Sequence, residues 1–243
     1  MSARTFFVAD LHLDPEKPDL SQLALRFLQQ IKNNDTLYIL GDLFEYWVGD
    51  DAGLTLYSDV ISALKAVSNM GCQVTVLLGN RDFLLGETFA QAAGVTLVRD
   101  DELMITLSGH PVLLMHGDTL CTDDVGYQAF RQQVRDTQWQ KTFLAKSIDE
   151  RIAFATHLRE QSRTLSRDKS KELTDVNSLQ VQSRFAARQC HTMIHGHTHR
   201  PFVHTDKTQA TQRFVVGDWH TDYACCVVHD ETGLHLLRFT SLI

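Results

Sequence analysis

Leu37-Tyr38-Ile39-Leu40-Gly41-Asp42 decides the fold of this chain. The four apolar residues read as a fully buried strand, which stops at a glycine and delivers one carboxylate. Four other apolar runs end in the same manner. Phe6-Phe7-Val8-Ala9 leads into Asp10-Leu11-His12, and Val74-Thr75-Val76-Leu77-Leu78-Gly79 into Asn80-Arg81-Asp82. Val112-Leu113-Leu114-Met115 leads into His116-Gly117-Asp118, and Thr192-Met193-Ile194 into His195-Gly196-His197-Thr198-His199. Open α/β sheets gather ligands at the carboxyl ends of their strands. Strands that end repeatedly in Asp, His or Asn therefore describe a metal cluster along the lip of a sheet, with Asp42 at its middle as a bridge between two ions.

Outward from this stretch, the pattern alternates strand and helix. Residues 4–9 form a strand, and residues 19–33 place Leu20, Leu23, Phe27, Leu28 and Ile31 on one helical face after Pro18 and Asp19. Leu56, Val60, Leu64 and Val67 mark a second helix that Gly71 caps. Strand, helix, strand in succession predicts parallel pairing with right-handed crossovers. A short helix is expected over 87–93, strands over 95–98 and 103–107, and a turn at Ser108-Gly109. Residues 122–189 lose the strand pattern and turn polar and basic, with Arg151, Arg159, Arg163, Arg167, Lys169 and Lys171 in their second half. There Phe143, Leu144, Ile148, Ile152 and Ala155 keep helical spacing, so the segment reads as an inserted helical lid. Residues 1–121 and 190–243 then form the core. Arg213–Val216, Ala224–Val228 and Leu234–Phe239 read as strands of a second sheet.

The bulk numbers exclude several classes. With 243 residues, 43% hydrophobic and 22% charged, the chain suits a packed α/β domain with an insertion. A net charge of -7 disfavours general nucleic-acid binding. No run of 18 apolar residues occurs, so no membrane span is expected, and the early first strand leaves no room for a signal peptide. Five cysteines without a CxxC spacing predict reduced thiols in a cytosol rather than a disulfide framework or zinc ribbon. The donor set is carboxylate, imidazole and amide. It suits Mn²⁺ or a similar first-row divalent ion, not a structural zinc site.

Asp10-x-His12, Gly41-Asp42, Gly79-Asn80, His116 and Gly196-His197-x-His199 together resemble the signature of the calcineurin-like metallophosphoesterases. The longer strings Gly41-Asp42-Leu43-Phe44-Glu45, Gly79-Asn80-Arg81-Asp82-Phe83-Leu84-Leu85-Gly86, Met115-His116-Gly117-Asp118-Thr119-Leu120-Cys121 and Ile194-His195-Gly196-His197-Thr198-His199-Arg200-Pro201 resemble one branch of them. That branch is the UDP-2,3-diacylglucosamine pyrophosphatase family of lipid A biosynthesis. The resemblance implies a two-sheet α/β sandwich of metallophosphoesterase type with an inserted helical lid. It implies two Mn²⁺ ions, one on Asp10, His12, Asp42 and His199, the other on Asp42, Asn80, His116 and His197. It implies attack at the α-phosphorus of UDP-2,3-diacylglucosamine, giving UMP and lipid X. Substrate contacts are implied at Asn80, Arg81, Asp124, Arg159, Ser162, Ser166, Lys169 and His197, with Tyr127 a further candidate. The lid's Phe143, Leu144, Ile148, Ile152, Leu158 and Leu165 are expected to line an acyl groove. Peripheral attachment to the cytoplasmic face of a Gram-negative inner membrane follows, with no nucleic acid and no obligate protein partner.

Many phosphoesterases of this superfamily follow Gly-Asn with His; here Arg81 stands there. An arginine is no general acid at neutral pH, so the replacement favours a diphosphate, whose leaving phosphate needs little protonation. Asp82 and Asp118 are expected to orient imidazoles, and His195 to face away from the cluster. Glu45, Trp47, Asp50 and Asp51 read as loop structure. The competing functions are a metallophosphoesterase acting on a soluble nucleotide or cyclic nucleotide, and a non-catalytic scaffold of the same fold.

Overall fold

The structure is a computed structural model that describes residues 3–168 and 175–240; the side chains of 162–168 and of Thr240 are not described. Two sheets pack face to face. The first contains β1 (Thr5–Val8), β2 (Thr36–Leu40), β3 (Gln73–Leu77) and β4 (Thr96–Val98), all parallel. Between them run α1 (Pro18–Gln30), α2 (Asp50–Leu56), α3 (Ser58–Asn69) and α4 (Glu87–Ala93). The second sheet begins with the hairpin of β5 (Glu102–Leu107) and β6 (His110–Met115). A single 3₁₀ turn at Asp118–Leu120 and four helices follow: α5 (Val125–Arg135), α6 (Thr137–Leu144), α7 (Ile148–Asp168) and α8 (Ser178–Arg188). Then come β7 (Thr192–His195), β8 (Phe202–Asp206), β9 (Thr211–Val215), β10 (Tyr223–Asp230) and β11 (Gly233–Thr240). The sheet orders are β11-β10-β1-β2-β3-β4 and β5-β6-β7-β9-β8.

Strand alternation builds two layers of core. Phe6, Val8, Leu37, Ile39, Val74 and Val76 point to α1 and α3, while Phe7, Ala9, Leu40 and Leu77 meet Val112, Leu114, Ile194 and Phe214 of the second sheet. Leu113, Met115 and Met193 point outward again and are covered by Val181 and Phe185 of α8. Strands buried on both faces read as continuous apolar runs, which is why the sequence shows them so clearly.

Several expectations are corrected. Only β9 of the last three expected strands joins the second sheet. β10 pairs antiparallel with β1, and β11 with β10, so both extend the first. The reason is burial on both faces of β10: Ala224, Cys226 and Val228 face the helices and Val227 faces the other sheet. β8 was not anticipated; it is an edge strand of largely exposed residues and lacks a buried stripe. The helix expected around 56–67 is two helices meeting at Tyr57. The stripe from Phe143 to Ala155 is likewise split between α6 and α7. Arg151 belongs to the basic run of the expected lid. It is buried, donates to Val48 O (2.5 Å) and forks onto both oxygens of Asp51 (2.8 and 2.5 Å). Asp50 and Asp51 therefore open α2, and Asp50 also accepts from the amides of Gly86 and Phe89, at 2.9 and 3.0 Å, at the start of α4.

Candidate metal centre

The parallel strands β1, β2, β3, β6 and β7 all deliver a metal-type residue just past their carboxyl ends. Backbone bonds lace these loops together: Asp10 N to Gly41 O (3.2 Å), His12 N to Asp42 O (3.0 Å), Leu13 N to Leu43 O (3.0 Å), and Gly196 N to His116 O (2.8 Å). Asp10, His12, Asp42, His197 and His199 adopt left-handed backbone, with φ of 55°, 47°, 53°, 69° and 54°. Non-glycine residues rarely do so, and the strain persists only where surroundings dictate it. The left-handed step is also how an Asp-x-His pair leaves strand alternation and turns both side chains into one cleft.

Two glycines make room for carboxylates. A Cβ on Gly79 would overlap Asp42 Oδ1 and the Asp42 amide, and one on Gly196 would overlap Asp10 Oδ2. The Arg81 amide donates to Asp42 Oδ1 (2.8 Å) and the His197 amide to Asp10 Oδ2 (2.8 Å). Asp82 accepts from the amides of Leu43 (2.7 Å) and Gly79 (2.9 Å), so it clamps the β2 and β3 loops and orients no imidazole. Asp118 likewise accepts from Tyr127 Oη (2.6 Å) and Arg131 Nε (2.7 Å) rather than from a histidine. These are corrections: buried carboxylates were in demand for backbone amides and for a cation.

All seven residues expected as ligands meet. Asp10, His12 and His199 form one group whose donor atoms lie within 4.8 Å of one another, and Asp10, Asp42 and His116 form another. His12 Nε2 and His199 Nε2 lie 3.1 Å apart. That is roughly the spacing of two nitrogens each about 2.1 Å from one ion. Asn80 Oδ1 lies 2.9 Å from both His116 Nε2 and His197 Nδ1. His116 donates through Nδ1 to Leu40 O (2.8 Å), which turns its Nε2 inward. Asp42 Oδ2 faces His12 Nε2 (4.0 Å), while Oδ1 faces His116 Nε2 (3.8 Å). One carboxylate thus addresses both halves of the cluster. Asp10 Oδ1 is buried without a hydrogen-bond partner among the described residues. A buried orphan carboxylate oxygen beside crowded imidazole nitrogens is what a divalent cation satisfies; these residues fit a metal.

Electrostatics follow the same map. Burial alone would push His199 down, but Asp10 and Asp218 hold it up to about 10. Burial and the neighbouring His116 charge push His197 down to about 4. Burial opposes ionisation of Asp10, yet His199, His116 and His12 hold its carboxyl well below the usual range. His195 is fully buried, donates through Nδ1 to Gly196 O (2.8 Å) and accepts from Arg213 Nη1 (2.9 Å); it stands outside the cluster as expected.

The other expected site residues divide. Arg81 is partly exposed, with its Nη1 3.5 Å from Glu45 Oε1 beside His12. Tyr127 lies with its ring 5.8 Å from that of His197. Asp124 caps α5 by accepting from the Tyr127 amide (3.1 Å). Arg159 faces Asp14 Oδ2 (3.3 Å) and Glu45 Oε1 (2.9 Å). Ser162 and Ser166 fall on α7, where the side chains lie outside the described residues, as does Leu165; Lys169 lies outside them altogether. Of the expected acyl-groove residues, Phe143 is buried in the main core and Ile152 packs against it, while Leu144 and Ile148 are exposed. The sequence reading missed Asp218 and gave Glu45 to loop structure. Asp218 Oδ2 lies 3.2 Å from His199 Nδ1, and Glu45 Oε2 lies 3.2 Å from His12 Nδ1. A signal for the first was present, since Phe214-Val215-Val216-Gly217-Asp218 repeats the apolar-run, Gly, Asp pattern of Gly41-Asp42.

Comparison with known proteins agrees with this geometry. The family model described as calcineurin-like phosphoesterase matches residues 3–201. UDP-2,3-diacylglucosamine hydrolase of Stenotrophomonas maltophilia (strain K279a) is 47% identical over 89% of this chain and 91% of its own. The protein of the same name from Xanthomonas oryzae pv. oryzae (strain PXO99A) is 46% identical over 97% of this chain and 98% of its own. Family and donor set together support a divalent metal. A matched family domain over most of the sequence and close relatives over nearly all of it lead to one conclusion: the chain belongs to the calcineurin-like phosphoesterases, and within them to the hydrolase family whose curated members are named UDP-2,3-diacylglucosamine hydrolase.

Proposed function

We propose that this protein hydrolyses the pyrophosphate bond of UDP-2,3-diacylglucosamine at the α-phosphorus, releasing UMP and 2,3-diacylglucosamine 1-phosphate (lipid X) for lipid A biosynthesis, with two Mn²⁺ ions as cofactors. The observation that carries it is Arg81 at the mouth of a two-lobed donor cluster, in a chain whose relatives bear that hydrolase name. Asp10, His12, Asp42 and His199 would hold one ion; Asp42, Asn80, His116 and His197 would hold the other. When bound, the ions supply Lewis-acid polarisation of the phosphoryl oxygens and activation of the attacking water.

The chain's own groups do the rest. Arg81 offsets negative charge on the diphosphate as it builds in the transition state, and its permanent charge suits that task. The leaving sugar phosphate has a second pKa of about 6, so it departs without a proton donor. His197 stands over the same face, and its depressed pKa keeps it neutral at physiological pH. Arg159, Asp124, Ser162, Ser166 and Lys169 complete the proposed substrate contacts. Residues 122–189 serve as the lid, and the exposed Leu144, Ile148 and Phe154 on α6 and α7 offer apolar surface to acyl chains.

No helix among the described residues is long and apolar enough to cross a membrane. We read attachment as peripheral, through the exposed apolar residues Leu144, Ile148 and Phe154 of the lid on an anionic cytoplasmic leaflet of the inner membrane. Full recovery in the soluble fraction at low salt would count against it. The deciding assay is Mn²⁺-dependent release of UMP from the diacylated UDP-sugar, set beside UDP-glucosamine without acyl chains and a panel of nucleotides. Equal turnover of the unacylated substrates would sink the lipid assignment.

A further inference from the structure

Glu45 reads in the sequence as loop structure, and no metal role falls to it. Its surroundings say otherwise. The carboxylate is nearly fully buried. It is placed rigidly, because the Glu45 amide donates to Leu13 O (2.8 Å) and Leu13 N to Leu43 O (3.0 Å), zipping the loop that carries Asp42 to the loop that carries His12. Three nitrogen groups then converge on this one side chain at ion-pair distances: His12 Nδ1 at 3.2 Å, Arg159 Nε at 2.9 Å and Arg81 Nη1 at 3.5 Å. His12 Nδ1 and Arg159 Nε are buried and make no aligned hydrogen bond among the described residues, so the Glu45 carboxylate is the charge that faces them. Glu45 meets the ring nitrogen of His12 that faces away from the cluster, since Nε2 is the one set 3.1 Å from His199 Nε2. It is therefore not a ligand itself.

We propose that Glu45 is a positioning residue: it fixes the His12 imidazole as the Nδ1–H tautomer with Nε2 turned to the metal position, and it holds Arg81 and Arg159 at the same opening. The chemistry requires such a group. An imidazole can ligate through Nε2 only if its proton sits on Nδ1, and a carboxylate on that side both orients the ring and raises its basicity. Two guanidinium groups at one opening repel each other unless an anion lies between them. Arg159 comes from α7, so the same carboxylate ties the lid to the metal-bearing loop; Asp14 Oδ2, 3.3 Å from Arg159, supplies the second anchor. The role of the two arginines toward substrate rests on the proposed diphosphate hydrolysis, whereas the His12 part does not.

The test uses the full chain. In Glu45→Gln, Mn²⁺ affinity, read from free Mn²⁺ by electron paramagnetic resonance, should weaken on the order of 10–100-fold. kcat/KM for UMP release from the diacylated UDP-sugar should fall by a further factor beyond that for bis(4-nitrophenyl) phosphate at saturating Mn²⁺. Arg159→Met should spare Mn²⁺ affinity while raising KM for the diacylated sugar. Should Glu45→Gln fail to fold, long-range ¹H–¹⁵N spectra of the Mg²⁺-loaded wild type read the tautomer directly, and an Nε2–H form of His12 would overturn the proposal. So would wild-type Mn²⁺ affinity in a folded Glu45→Gln. If the wild type cleaves bis(4-nitrophenyl) phosphate yet releases no UMP, the substrate assignment fails, and Mn²⁺ affinity and the tautomer still judge Glu45.

Discussion

Gly79→Ala adds one methyl group where the structure has no room for it. Gly79 does not require left-handed backbone, so alanine is acceptable to the chain itself and the whole effect comes from contact. The new Cβ would overlap Asp42 Oδ1 and the Asp42 amide. The Gly79 backbone cannot withdraw easily. Its amide is held by Asp82 Oδ1 (2.9 Å) and its carbonyl by Arg135 Nη2 (2.9 Å). The Asp42 carboxylate must swing away and lose its 2.8 Å bond from the Arg81 amide, and the Asp42 backbone amide, in the path of the new Cβ, forces the two loops apart as well. Overpacking costs about 1–3 kcal/mol, and a lost charge-assisted hydrogen bond about 1.5–3 kcal/mol. A net destabilisation of about 2–4 kcal/mol is expected after partial relaxation. A ligand displaced by about 1 Å costs on the order of 100-fold in rate. The assays are chemical denaturation, metal content after gel filtration, and kcat/KM on bis(4-nitrophenyl) phosphate. Gly126→Ala is the control: it lies in α5, its Cβ would meet only Asp124 Oδ1, at 3.8 Å, among the described residues, and alanine there should be neutral or stabilising by up to about 1 kcal/mol. A Gly79→Ala protein with wild-type metal content and turnover would refute the close-approach account of Asp42.

Arg81→Ala should lower kcat/KM on the diacylated UDP-sugar by on the order of 10²-fold or more while leaving metal content unchanged; equal loss of both would mean a structural role. Arg151→Met removes a buried cation whose own side chain is 3% exposed but whose partner Asp51 is 58% exposed, so the loss, read by urea denaturation, should be about 1–3 kcal/mol rather than the larger figure for a wholly buried pair. The Arg151 hydrogen bond also holds the Asp51 carboxyl below its usual range. A depressed folded-state pKa gives stability that is present above about pH 4 and lost as pH falls below it, so this part of the acid sensitivity should vanish in Arg151→Met. In the metal-free protein Asp10 and Asp218 keep His199 protonated up to about 10. An incoming ion must displace that proton, so apparent metal affinity should rise with pH between about 6 and 8, and calorimetry in two buffers should record proton release that shrinks in Asp218→Asn.

The seven candidate donors were legible because they follow buried apolar runs, and chance does not repeat that signature five times at strand ends. Arg81 was legible for a related reason, since it stands directly beside a donor. Glu45 was not, and the run ending in Gly217-Asp218 marked a strand end without naming its partner, because the work of both acids is done across the fold. Glu45 meets Arg159, 114 positions away by residue number, and Asp218 meets His199 from the loop after β9. A carboxylate in a loop looks the same whether it faces water or an imidazole. The partners of the lid's basic run were equally unreadable in the sequence: Arg151 reaches down to Asp51, and Arg159 to Asp14 and Glu45.

Periodicity and motif spacing by themselves determined the α/β class, the parallel pairing of β1 to β3 and the strand-end positions of the candidate donors, because burial on both faces and strand-end chemistry are written locally. Only the tertiary structure decided that β10 and β11 join the first sheet, that five donors sit in left-handed backbone, and which acids stand behind His12 and His199. Those outcomes depend on which surfaces are pressed together once the two sheets stack, and a linear chain carries no record of a partner reached through space.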